Sequence, residues 1–183
     1  MRDVHPLTIG SVDLQRAGAG GSIGAAAKRD VLAAAQRYVN KAILAPLETG
    51  KAGRGYADLF VPGIRPAAVG ADRAVLTDES VGKTATLNEE STPVAMSALT
   101  GPAGVLLYVA TKFRLTVHTT RGSGAVTIDR NIELTFEPVN HDWLVTAYRI
   151  DVIRHTPARK ATSTTRPTRR TTTTRKARAG AKP

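Results

Sequence analysis

The chain has 183 residues, enough for one ordinary domain and its tails, and with 42% hydrophobic but only 4% aromatic residues its core must be mostly aliphatic. The absence of Cys removes disulfides, thiolate metal sites and cysteine nucleophiles together. The formal net charge of +11 suggests a polyanion binder, yet nine of the 26 basic residues and none of the 15 acidic ones fall in residues 158–183, so the rest of the chain is close to neutral.

Residues 1–24 have the composition of a flexible N-terminal segment. Leu7, Ile9, Val12 and Leu14 alternate weakly, and a glycine-rich stretch from Gly18 to Gly24 follows. A dinucleotide fingerprint needs a third glycine where Ile23 stands and repeated βαβ units behind it, so this stretch is expected to be a linker and no cofactor is assigned. No signal peptide is visible, and no apolar run approaches the roughly 18–20 residues that span a bilayer. His5 to Leu14 has the character of a chain interior, from which an export or anchoring segment upstream, and with it a cell-envelope location, is one expectation; a cytoplasmic location is the other.

From Ala25 to about Leu47 the apolar residues Val31, Ala35, Tyr38, Val39, Ala42 and Ile43 recur at three- and four-residue steps, which predicts a helix lying on a core. Pro46 predicts a kink or an end near Leu44, because its ring clashes with the carbonyl four residues back. Residues 56–60, 64–69 and 72–77 are expected as short helical pieces, with Asp72 as an N-cap.

After Val81 the period becomes two. Candidate strands are 83–90, 93–99, 105–118, 125–137 and 143–154. Odd positions of the third are apolar (Val105, Leu107, Val109, Phe113, Leu115, Val117), and even positions of the fourth are (Val126, Ile128, Ile132, Leu134, Phe136). Closing the turn at Arg121 to Gly124 sets Thr120 opposite Ala125, Phe113 opposite Ile132 and Val109 opposite Phe136 on one face, with Lys112 opposite Glu133 and Thr116 opposite Asp129 on the other. Setting Phe136 opposite Leu144 extends the apolar face through Tyr148 and Val152 and places Arg130 opposite Ile150.

The fold class expected is α+β, with N-terminal helices packed on a curved antiparallel sheet, over residues 25–156. This element order, with the closing strand Asp142 to Arg154 and its Trp143, Val145 and Tyr148, resembles the cone-shaped domains of the nuclear transport factor 2-like superfamily. Among the members of that superfamily are ketosteroid isomerase, polyketide cyclases and extracytoplasmic domains of bacterial membrane-associated proteins. Its isomerase-type enzymes imply a tyrosine and two acids converging inside an apolar cone. Here the strands' inner face carries Tyr148, Thr111, Thr146, Arg130 and Arg154 and no carboxylate, which weighs against an enzyme.

Arg130 is the one charge interrupting the apolar face of its strand. With Tyr148 it forms the candidate ligand-binding pair, fixing an anion by charge-assisted hydrogen bonds. The competing expectation is structural, Arg130 pairing with a helix acid such as Asp30 or Glu48 or snorkelling to the sheet margin. On the polar face Asp129 and Asp151, with Arg114 and Arg149, are expected to form a surface ion-pair array rather than an acid/base pair. His5, His118, His141 and His155 lack metal-ligand spacing, although His118 and His155 are expected to flank the same strand; no metal and no catalytic residue is assigned.

Residues 157–183 are Thr-rich, uniformly basic and poor in apolar groups, a composition that cannot bury enough surface to order itself. Arg159, Lys160, Arg166, Arg169, Arg170, Arg175, Lys176, Arg178 and Lys182 are the candidate polyanion-binding residues. Their expected partners are an anionic membrane surface, a cell-wall polymer or nucleic acid. Three functions compete: a non-catalytic accessory or binding module, of the bacterial cell envelope by the resemblance and with a protein partner or without; a small-molecule enzyme or carrier using the cone cavity; and a nucleic-acid-associated protein acting through the tail.

Overall fold

The computed structural model describes residues 6–16, 23–101, 104–122 and 124–155. The N-terminal five residues, 17–22 of the glycine-rich stretch, and residues 156–183 with all nine tail cations lie outside them. Within the described residues the chain is α+β, with helices packed against a curved six-stranded sheet. Strand β1 (Ile9–Arg16) is followed by α1 (Ala25–Tyr38), α2 (Ala45–Thr49), α3 (Arg65–Val69) and α4 (Arg73–Leu76), then by β2 (Thr86–Ser91), β3 (Val94–Thr100), β4 (Leu106–Arg121), β5 (Gly124–Val139) and β6 (Asp142–His155). The sheet runs β1-β3-β4-β5-β6, and β2 pairs with the part of β4 beyond the reach of β3.

The apolar stripe of α1 and of the turn that follows it is buried as its spacing predicts, with Val31, Ala35, Tyr38, Val39, Ala42 and Ile43 all at 2% exposure or less. It packs in one cluster with Phe113, Ile128, Ile132, Leu134 and Phe136 from the inner face of β4 and β5. The irregularity expected near Leu44 takes the form of a widened turn rather than an end. Residues Val39–Leu44 widen into a π-helical turn, in which the N–H of Ala45 reaches back to Asn40 O, and Pro46 then sits in the first turn of α2, where a missing N–H costs nothing. The carbonyl of Ala42, four residues before Pro46, accepts instead from the N–H of Asp78 at 3.2 Å. One proline thus fixes a point in the loop after α4.

The β4–β5 register is the one derived from the apolar pattern, from Thr120 opposite Ala125 to Val109 opposite Phe136. The β5–β6 register is two residues away from expectation, for two separable reasons. Asn140 and His141 take left-handed φ values of 48° and 70°, closing a two-residue turn that sets Val139 opposite Asp142. A bulge then breaks the register between Thr135 and Phe136, so that Phe136 faces Val145 but Thr135 faces Ala147. Two slips of one residue restore parity. Tyr148 therefore still faces inward, opposite Leu134 rather than Ile132, and Arg130 lies opposite Val152 rather than Ile150.

Residues 9–16, expected as part of a flexible segment, form β1 and pair parallel with β3, so the sheet is mixed rather than antiparallel. The helices between β1 and β3 supply the long crossover that a parallel pair requires.

Candidate functional site

The loop after α4 decides how the inner face is used. Asp78, held through its N–H by Ala42, turns its carboxylate under the helices, where it is completely buried. Arg130 meets it from β5 in a two-pronged ion pair, Nε to Oδ2 at 3.0 Å and Nη2 to Oδ1 at 2.7 Å, with no exposed surface on either side chain. The remaining reach of the guanidinium goes to main-chain carbonyls. Nη1 donates to Val75 O at 2.8 Å and Nη2 to Thr77 O at 3.1 Å, satisfying acceptors left over at the end of the four-residue α4. Arg154 completes the cluster by donating Nη2 to Asp78 Oδ1 at 3.0 Å.

The tyrosines of the interior are engaged in the same way. Tyr38 donates to Leu76 O at 2.7 Å and Tyr56 to Ala68 O at 3.0 Å, and burial pushes both phenols well above their usual range. Tyr148 donates to Asp72 Oδ2 at 2.6 Å and packs edge-on against Phe60. Burial first, and the Asp72 carboxylate second, push its pKa up to about 12, so it is a hydrogen-bond donor at neutral pH. Asp72 does not cap α4 with its side chain as expected; its carboxylate is given to Tyr148.

Two expectations about the site change accordingly. The inner face does receive carboxylates, Asp72 and Asp78, which arrive from the helical half and not from the strands. Arg130 and Tyr148 do share that face, but each has a protein partner of its own in place of a common ligand. The acid facing Arg130 is Asp78; Asp30 instead pairs with Arg29 at the surface.

The outer face is an ion-pair array. Arg114 and Thr116 both donate to Asp129, and these bonds, that of Thr116 foremost, hold its carboxyl below the usual range. Lys112 does the same for Glu133 at 2.6 Å. Asp151 lies opposite Asn131, two residues along β5 from Asp129, and Arg149 opposite Glu133. His118 and His155 both lie opposite Thr127, but His118 contacts the Thr127 hydroxyl while His155 sits 3.6 Å from Asp129. Among the described residues no group of three potential ligands gathers for a metal.

Clefts among the described residues include ones at the rim of the sheet, on its outer face, and between α2 or α4 and the strands. A rim cleft of about 300 Å³ is lined by Ser80, Val81, Arg121, Gly124, Val126 and Arg154. No family model, curated protein or solved structure matches the chain.

Proposed function

We propose that the chain is a non-catalytic accessory or binding module, built on a cone-like domain of the nuclear transport factor 2-like type and held to an anionic surface or polymer by the basic residues that follow β6. The observation that carries this reading is the internal pairing of the cone's polar groups. Arg130 is spent on Asp78, Val75 and Thr77, Tyr148 on Asp72, Tyr38 on Leu76 and Tyr56 on Ala68. A catalytic acid or base needs a proton-transfer partner in the substrate within hydrogen-bond reach. Arg130 and Tyr148 instead hold the helical half to the sheet, and Tyr38 and Tyr56 tie pieces of the helical half to one another.

The near-neutral body and the nine cations of residues 158–183 support assigning polyanion contact to the tail. Each cation is worth at most about 1 kcal/mol near an anionic surface, so attraction is additive and no single residue dominates. Co-sedimentation with vesicles containing anionic lipid tests the proposal. The full chain is expected to pellet at low salt, and a variant with all nine tail cations changed to Gln to stay in solution. Equal pelleting of both chains refutes the assignment.

A further inference from the structure

We propose that the rim cleft is a binding site for a small amphipathic anion, a carboxylate or phosphate monoester carried on a short apolar body. The cleft lies between the turn after Asp78, the β4–β5 hairpin end and the last residues of β6, and its volume of about 300 Å³ suits a small ligand. Val81 and Val126 give it apolar walls, Ser80 a hydroxyl, and Arg121 and Arg154 two guanidiniums.

The charge balance of the rim calls for an anion. Asp78 is one carboxylate shared by two guanidiniums, Arg130 and Arg154, and Arg121 adds a third cation that forms no ion pair among the described residues. The neighbouring acid Glu79 is already taken by Arg73 at 2.6 Å and by the N–H of Ala52 at 2.7 Å. Arg154 is also held in place. Its Nη2 is tied to the fully buried Asp78, while the side chain keeps 34% of its surface exposed and lines the cleft. Asp78 and Arg130 thereby act as positioning residues for Arg154, which lowers the entropy lost when an anion binds. Arg121 lines the cleft from the end of β4, across β5 from Arg154 on β6. A guanidinium fork on each side and a valine wall between them match a headgroup with two or more oxygens on a hydrocarbon stem. The site is independent of the tail cations and of the function assigned to them.

The test uses the full chain and follows the methyl resonances of Val81 and Val126, a residue type missing from residues 156–183. Hexyl phosphate is expected to shift both valines and saturate. Inorganic phosphate should bind about tenfold more weakly, because burying two methylenes contributes about that factor. Arg121→Gln, at an exposed strand end, should weaken hexyl phosphate about tenfold with the remaining spectrum unchanged. Arg154→Lys keeps a charge for Asp78 and should weaken binding while leaving the urea midpoint within error. Shifts confined to residues 158–183 overturn the proposal. So does equal affinity of Arg121→Gln, and inorganic phosphate binding as tightly as hexyl phosphate overturns the amphipathic class.

Discussion

Arg130 has no exposed surface and four hydrogen bonds, and Asp78 has none of its own charge left uncompensated. Removing one partner of such a pair leaves a buried charge, at a cost of about 3–5 kcal/mol. Arg130→Met is therefore expected to lower the free energy of unfolding in urea by that amount; a variant as stable as the parent would return Arg130 to the role of a ligand group in a wet cavity. Tyr148→Phe removes one hydrogen bond and keeps the edge contact with Phe60, so about 1 kcal/mol is expected by the same measurement. Glu79 adds a pH dependence. Its hydrogen bonds from Arg73 first, and from Ala52, lower its pKa below the ordinary 4.5. A carboxyl depressed by folding contributes stability that is fully present above that value and is lost as the pH falls through the lowered one. The difference in urea midpoint between the parent and Glu79→Gln should accordingly shrink as the pH is taken from about 6 to about 3. A difference that stays constant over that range would remove Glu79 from the account.

At the scale of elements, the π-helical turn before Pro46 is the organising feature of the helical half. Besides releasing Ala42 O for Asp78, it presents Lys41 O to the N–H of Gly53 at 2.7 Å, and there the chain passes so close that a Cβ on Gly53 would lie 3.0 Å from Lys41 Cα. Gly53→Ala should therefore destabilise the domain by about 1–3 kcal/mol, since backbone stands on the other side of the contact; a neutral result in thermal unfolding would show that the loop moves freely. Element identity was largely legible in the sequence, because period-two and period-3.6 patterns report local geometry. The β4–β5 register was legible too, since two faces gave the same answer. The β5–β6 register was not, because a turn with two left-handed residues and a bulge each moved it by one, and neither carries an apolar signature. The pairing partner of Arg130 was hidden for a related reason. Asp78 belongs to no periodic element, and its place is set by Pro46 through Ala42, 36 residues earlier in sequence for the carbonyl that holds it.

The whole molecule divides its charges by role. Within the described residues, cations inside the cone or on its outer face are mostly matched by carboxylates, as Arg130, Arg73, Lys112 and Arg114 are by Asp78, Glu79, Glu133 and Asp129. Nine cations without a matching acid lie in residues 158–183, and Arg121 and Arg154 are the cations that line the rim cleft of the folded domain. Attraction through dispersed cations works by counterion release, so it weakens with salt and is indifferent to sequence. The most direct test is the salt dependence of binding to duplex DNA of arbitrary sequence, because the slope of log affinity against log salt counts the phosphates neutralised. The full chain is expected to give a negative slope no steeper than about −8, the value for nine engaged cations, and the variant with nine tail glutamines no measurable binding. Retention of tight DNA binding by that variant, or strong preference of the full chain for one sequence, would contradict the account and locate the recognition surface on the folded domain.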